Sequence, residues 1–242
     1  MAQPPGFTSD TPLLTRARRA ACSRCARPLP TCLCPLVPGV LLDNATPVLV
    51  LQHPREAREA KGSAALLALG LARCRVQVGD RFEPDALAAW LHPPGRQSVL
   101  LYPATGLEPH APAPWPAGTG TGTGTCACAG VRLQLVVIDT TWRKSLRVLL
   151  EHPALQALPR LPLGDEAAPL SPSLYGALRA TPRPGQLSTL EATVQALARL
   201  DGPSPGHQAL RDAFAAFVQR ELARGPRVAR GGPGSPGRES DA

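Results

Sequence analysis

Apolar residues in this 242-residue chain gather into short unbroken runs separated by segments with helical spacing. Pro47 to Gln52, Ser98 to Tyr102 and Leu133 to Ile138 are runs of that kind, short and rich in Val, Leu and Ile, as in strands buried on both faces. Arg75-Val76-Gln77-Val78 alternates and predicts a shorter strand. Between them lie a long Ala/Leu-rich helical stretch over about Arg55 to Ala72 and a short helix over Asp85 to Leu91. A further helix runs from about Trp142 to Leu150, closed by Pro153, and two more lie near Ser188 to Leu200 and Pro205 to Arg224. The last carries Leu210, Phe214, Phe217, Val218 and Leu222 on one stripe, the spacing of a core-facing side. Strands alternating with helices predict an α/β fold with a mostly parallel sheet flanked by helices.

Composition shifts divide the chain further. Residues 1–15 are polar and Pro-containing and read as a flexible N-terminus, followed by a cysteine-bearing segment over 16–40. The main domain is expected over 41–224, interrupted at 109–130 by a Pro/Gly loop whose core, Gly118 to Thr125, is a Gly-Thr repeat. A Pro-rich linker runs from Pro159 to Pro184, and 225–242 reads as a disordered tail. No run reaches the roughly 18 apolar residues of a membrane helix. The first 21 residues lack an apolar targeting core, so a cytoplasmic protein with no membrane partner is expected.

The formal charge is +8, and nearly all the positive charge is Arg, since Lys61 and Lys144 are the only lysines. Arg16, Arg18, Arg19, Arg24 and Arg27 cluster with no acid among them. Such local asymmetry points to a polyanion, most simply nucleic acid. With only 4 Phe, 3 Trp and 2 Tyr, a base-stacking platform is disfavoured. Recognition of a folded RNA by shape and backbone needs fewer aromatics.

Cys22, Cys25, Cys32 and Cys34 place four thiols within thirteen positions. In a cytosolic chain this spacing favours a metal over disulfides, and a Cys₄ set suits a closed, structural Zn²⁺ site. Unliganded thiols and a redox or iron–sulfur role are the other readings. Cys126 and Cys128 read as incidental loop residues, and Cys74 as a small buried hydrophobe.

Three apolar strands end in polar groups: Gln52-His53-Pro54-Arg55-Glu56, Tyr102-Pro103, and Asp139-Thr140-Thr141-Trp142. If the strands are parallel, these groups meet on one rim, where open α/β sheets bind ligands. Ser188-Thr189-Leu190-Glu191 fits a capping box, and that helix start offers free N–H groups to an anion. Gly185 just before it permits close backbone approach, and Lys61-Gly62-Ser63 is a second candidate anion contact.

Taken in order, these motifs, with Leu100-Leu101-Tyr102-Pro103 and Arg143, resemble the DTW-domain family of tRNA-uridine aminocarboxypropyltransferases over about residues 20–200. The Gly-Thr loop with its two cysteines departs from the family pattern. The resemblance implies a SPOUT-like fold, with the cofactor in a knotted C-terminal region. It also implies transfer of the 3-amino-3-carboxypropyl group of S-adenosylmethionine to N3 of a uridine in tRNA, releasing methylthioadenosine. On that reading Asp139 is the candidate base. The S-adenosylmethionine contacts would be His53, Tyr102, Pro103, Thr140, Thr141, Trp142, Arg143, Ser188, Thr189 and Glu191. The tRNA contacts would be Arg16, Arg18, Arg19, Arg24, Arg27 and Lys61. A SPOUT-like RNA methyltransferase and a non-catalytic zinc-knuckle RNA-binding protein are the other classes the sequence leaves open.

Overall fold

The computed structural model describes residues 20–37, 39, 42–59, 61–103, 105–107, 109, 112–113, 132–163, 173–174, 176 and 187–225. The expected flexible N-terminus, the Gly-Thr loop with Cys126 and Cys128, Gly185 and the C-terminal tail lie outside the described residues.

Four strands form one sheet: β1 (Val48–Gln52), β2 (Cys74–Val78), β3 (Arg96–Leu100) and β4 (Arg132–Asp139). Their order is β2-β1-β4-β3, and every pairing is parallel. β1 is buried at all five positions because it is central and covered on both faces, which is why its sequence is a continuous apolar run. β2 lies at the edge, and its positions are only partly covered. Beyond β3 the sheet is widened by one parallel bridge, Leu100 to Arg160. The chain lays β2 on one side of β1 and then crosses to place β3 and β4 on the other. The order therefore reverses between β1 and β4, and the crevice at their carboxyl ends is the topological switch point.

The α-helices with described bounds are α1 (Pro54–Arg58), α2 (Ala64–Gly70), α3 (Pro84–Leu91), α4 (Trp142–Glu151), α5 (Pro153–Gln156), α6 (Thr189–Asp201) and α7 (Pro205–Ala223). Alternate strand residues feed two cores. Val48, Val50, Leu133, Leu135 and Val137 pack with α2, α6 and α7, where Leu67, Leu197 and Phe214 are buried. Leu49, Leu51, Leu100 and Val136 pack on the opposite face against Leu87, Leu91, Val148 and Leu155 of α3, α4 and α5. The outcome is the expected parallel sheet between helical layers. Among the described residues no helix is long and apolar enough to cross a membrane.

Several expected elements come out differently. The single helix over 55–72 is two helices, broken at Glu59, whose backbone is extended (φ −73°, ψ 124°). Gly62 sits in the break, where a Cβ would lie 3.0 Å from the Glu56 carbonyl oxygen and 3.1 Å from that of Glu59. Pro153 does more than close α4, since it opens α5 at the first helical position, where its missing N–H is not needed. β3 ends at Leu100, so Tyr102 lies past the strand. Leu222, expected on the core stripe of α7, is 52% exposed in the last turn. Cys74 is half-buried against the core, and burial pushes its thiol up to about 12. The resemblance implies a knot in the C-terminal region, whose residues 164–186 lie outside the described residues except for 173, 174 and 176.

Because the Gly62 neighbours are backbone carbonyls rather than yielding side chains, Gly62→Ala should destabilise the fold by about 1–3 kcal/mol, the range for overpacking. Urea unfolding should show a lower midpoint with an unchanged slope. An unchanged midpoint would mean that the break between α1 and α2 does not require glycine.

Candidate active site and metal centre

The register of β1 on β4 makes Gln52 and Asp139 direct neighbours at the switch point. Asp139 is buried, and both its oxygens are engaged. Gln52 Nε2 donates to Oδ2 at 2.7 Å, and Thr189 Oγ1 donates to Oδ1 at 2.6 Å. The carboxylate thus ties the end of β1 and β4 to the first residue of α6. Hydrogen bonds to a charged group contribute about 1.5–3 kcal/mol each. A carboxylate offers about four lone-pair sites, so these two bonds leave roughly half of its accepting capacity for a ligand.

The start of α6 is built by a full capping box. Ser188 Oγ accepts from the Glu191 N–H at 3.2 Å, and Glu191 Oε2 accepts from the Ser188 N–H at 2.8 Å. Glu191 also accepts from the Leu174 N–H at 2.8 Å and from Ser173 Oγ at 3.2 Å. Its buried carboxylate therefore holds backbone in place. Glu191 lines neither of the cavities described next.

Two cavities flank this point. The larger, about 240 Å³, is lined by Tyr102, Pro103, Trp142, Ser188 and Thr189, with Leu101, Val137, Leu161, Leu163 and Leu187 among its apolar walls. The smaller, about 80 Å³, is polar and lined by Glu56, Lys61, Ser63, Asp139, Thr141 and their neighbours. Thr140, Leu187, Ser188 and Thr189 line both. Thr140 Oγ1 is buried at that shared wall and has no hydrogen-bond partner among the described residues. A buried hydroxyl without a partner is costly unless a ligand or water satisfies it.

The larger cavity has an aromatic wall. Tyr102 and Trp142 stack with ring centroids 5.3 Å apart and 2° between planes. Ser145 Oγ donates to the Trp142 carbonyl at 2.8 Å, so the Tyr102 hydroxyl is the donor in its 3.0 Å bond to Ser145. The Arg160 guanidinium lies over the Tyr102 ring at 5.9 Å. Tyr102 is thereby fixed and buried, whereas Trp142 keeps 47% of its surface exposed at the cavity mouth.

The four N-terminal cysteines come together. Their sulfurs all lie within 4.8 Å of one another, with Cys22–Cys34 and Cys25–Cys32 each at 3.7 Å. These separations are far too long for disulfides, at about 2.05 Å. They match the edge of a tetrahedron with metal–sulfur bonds of about 2.3 Å, which is about 3.8 Å. Backbone N–H groups of Cys25 and Arg24 point at Cys22 and lower its thiol, whereas burial pushes that of Cys34 up to about 12. The turn between the first two cysteines closes through Ala26 N–H to the Cys22 carbonyl at 2.9 Å, and Ala26 takes a left-handed φ of 54°. Such a four-thiol cage can hold a metal ion. It is anchored to α7, where Arg220 Nη1 donates to the Cys32 carbonyl at 2.6 Å and Arg224 bonds the Pro30 carbonyl. Arg27 Nη2 reaches the Gly62 carbonyl at 3.1 Å, beside the smaller cavity.

The family model of the DTW domain matches residues 19–222. The chain belongs to the DTW-domain family. This DTW protein is 32% identical over 200 residues to tRNA-uridine aminocarboxypropyltransferase 2 of Drosophila melanogaster, covering 81% of the chain and 71% of that relative. The mouse (Mus musculus) protein of the same name is 28% identical over 250 residues, covering 94% and 75%. tRNA-uridine aminocarboxypropyltransferase A of Arabidopsis thaliana is 26% identical over 196 residues, covering 76% and 74%. No solved structure matches.

Within the DTW domain the structure gathers Asp139, Thr140, Thr141, Trp142, Tyr102, Pro103, Ser188, Thr189 and Lys61 around the two cavities. It does not bring His53 or Arg143 there. His53 caps α1, with Nδ1 accepting from the Arg55 N–H at 3.1 Å and Nε2 2.9 Å from Asp80 Oδ1. Arg143 is exposed on α4. Of the expected RNA contacts, Arg24 is exposed, Arg27 is half-buried against Phe217, and Arg16, Arg18 and Arg19 lie outside the described residues. Sequence reasoning placed Gln52 among the strand-end polar groups but gave it no role of its own. Its signal was a lone amide at the last position of an otherwise apolar strand.

The Asp139 bridge gives a direct test. Asp139→Ala leaves two buried donors unpaired and should cost about 2–4 kcal/mol. Asp139→Asn should fold almost normally, because its oxygen can accept from Gln52 while its NH₂ donates to the Thr189 hydroxyl. Equal urea midpoints for the two variants would show that the bridge contributes nothing.

Proposed function

We propose that the protein is a tRNA-uridine aminocarboxypropyltransferase that moves the 3-amino-3-carboxypropyl group of S-adenosylmethionine to N3 of a uridine in tRNA, releasing methylthioadenosine. The observation that carries this reading is the meeting of an aromatic-walled cavity and a small polar cavity at Thr140, Ser188 and Thr189, with Asp139 facing the polar one. The names of the relatives supply the reaction class.

The donor's adenosyl end suits the larger cavity, with Trp142 against the adenine and the apolar walls around the sugar. Its amino-acid tail reaches the start of α6, where the helix dipole favours a carboxylate. The uracil enters on the side of Asp139 and Lys61. Uridine N3 carries a proton and is a weak nucleophile until it loses it, and Asp139 accepts that proton. N3 then forms its bond to the γ-carbon. The γ-carbon–sulfur bond breaks, and its electron pair stays on sulfur, which becomes the neutral thioether of methylthioadenosine. The sulfonium is already an activated leaving group, so positioning the γ-carbon instead of the methyl carbon decides the product. Residues 16–40 form a zinc-bearing segment fastened to a catalytic unit over 41–224. Arg16, Arg18, Arg19, Arg24 and Lys61 meet tRNA phosphates, and the setting is cytoplasmic.

Incubation with unmodified tRNA and S-adenosylmethionine labelled in the aminocarboxypropyl group should transfer label to tRNA, and methyl-labelled donor should not. Methyl transfer would make the protein an RNA methyltransferase, and binding without donor consumption would make it a binding module. Asp139→Asn should lower kcat by about 10²–10⁴, the span of general acid–base contributions. Full activity in that variant would remove Asp139 as the base.

Elemental analysis should find one zinc per chain. Cys32→Ser should lose it along with thermal stability. Ala26→Gly should retain it and gain up to about 1–2 kcal/mol, because glycine adopts the left-handed turn without the Cβ penalty. A purified chain that folds normally with no bound metal would refute the zinc assignment.

A further inference from the structure

We propose that the amino-terminal edge of the sheet, on the face covered by α3, is a second RNA-contact surface that grips the tRNA backbone far from the reacting base. Arg96 of β3 and Arg132 of β4 are registered neighbours on adjacent strands. Arg132 and Gln134 alternate with the core residues Leu133 and Leu135, and so project to the α3 face. There Gln134 Nε2 donates to the Trp90 carbonyl at 2.8 Å. On the edge strand β2, the exposed Arg75 lays its guanidinium over the Trp90 ring at 5.4 Å. A cavity of about 330 Å³ opens among Arg73, Arg75, Trp90 and Gln134. The result is a stripe of arginines along one edge, with an indole and an amide between them.

The charges are poorly compensated. Arg73 is paired with Asp43 at 2.8 Å. Arg96 donates to the Leu133 carbonyl at 3.3 Å, and no carboxylate pairs with Arg96 or Arg132 among the described residues. Burial, and the neighbouring Arg132 and Arg73 charges, hold the Arg96 guanidinium below its ordinary value. Like charges side by side on adjacent strands destabilise a sheet. A fold that keeps them gains nothing from them by itself, whereas a phosphodiester backbone would neutralise them and release counterions. Arginine stacked on an indole, next to an amide donor, fits nucleic acid better than an acidic peptide, because it offers a flat platform as well as charge.

The position defines the partner. A strand rises about 3.3 Å per residue, so the seven steps from Arg132 to Asp139 span roughly 23 Å. An RNA held at both ends of the sheet must be an extended or folded body such as tRNA. The identity of that RNA rests on the proposed function, but the surface is tested by binding alone.

The experiment measures binding of unfractionated tRNA over a salt titration, without donor, for the full chain and for the double variant Arg96→Gln/Arg132→Gln. Losing two phosphate contacts should flatten the log–log salt slope by about 1.4–1.8 and weaken binding on the order of tenfold at moderate salt. Arg147→Gln should change neither, since Arg147 is exposed and already paired with Glu151 at 2.6 Å. In turnover the double variant should raise the KM for tRNA and leave kcat unchanged. An unaltered slope and affinity in a chain that still binds tRNA would overturn this surface and leave the transferase reading intact. A wild-type chain that binds no tRNA would remove both. The unfolding midpoint of Arg132→Gln should hold or rise as the repulsion on Arg96 is relieved. A clear fall would assign these arginines to the fold instead.

Discussion

The Asp139 carboxylate is the constraint on which the candidate site depends. It is the last residue of β4, one of the two inner strands, and it is buried with no cation paired to it among the described residues. A buried charge without a counter-ion is tolerated only when donors surround it. Gln52 and Thr189 are those donors, one from the adjacent strand and one from a helix that begins fifty residues later. The same bonds that satisfy the charge fix the start of α6 over the crevice. That start is the wall between the two cavities. The demand to solvate one carboxylate therefore fixes the geometry in which a donor and an acceptor could meet.

The parallel sheet places that demand at the switch point. Its strand order reverses between β1 and β4, so their carboxyl ends open a crevice instead of receiving a crossover connection. Neighbouring positions serve packing. Val137 is buried in one core and Val136 in the other, which leaves the strand end for polar chemistry. The aromatic wall follows the same logic. Tyr102 lies just beyond β3 and Trp142 at the first turn of α4, so the ends of two neighbouring strands deliver the stacked pair. Tyr102 is held by Ser145 and Arg160. The free face of Trp142 is then presented at a defined angle.

Much of this was legible from sequence because apolar runs, thiol spacing and strand-end polarity are local signals. The central strands, the parallel α/β class, the four-cysteine set and the capping box at Ser188 all belong to that group. What was hidden depends on pairing and on crowding. His53 and Gln52 are adjacent in sequence, yet successive side chains point opposite ways. Only the register of β1 on β4 reveals that Gln52 reaches Asp139 while His53 turns to Asp80. The break at Glu59 was masked because alanine and leucine favour helix on either side, and the carbonyls that crowd Gly62 come from the preceding turn. Leu222 has the correct stripe spacing but lies in the final turn, past the last contact that α7 makes with the core. Periodicity reports a face, not where its cover ends.

The cysteine cage and the crevice are joined by hydrogen bonds. One arm of the link runs from the cage through the Arg27 guanidinium to the Gly62 carbonyl. Gly62 is pinned in turn against the carbonyls of Glu56 and Glu59, and Glu56, Lys61 and Ser63 line the polar cavity with Asp139. The other arm runs from Cys32 and Pro30 to Arg220 of α7 and Arg224 at its C-terminal cap, and the Phe217 ring of α7 carries both Arg27 and Arg220 on its surface. A four-thiol cage without its metal would be a set of mutually repelling thiolates or poorly packed thiols, held by two arginines with other partners. Arg27, set between the cysteines of that cage, thus shares one contact with the residues around the smaller cavity.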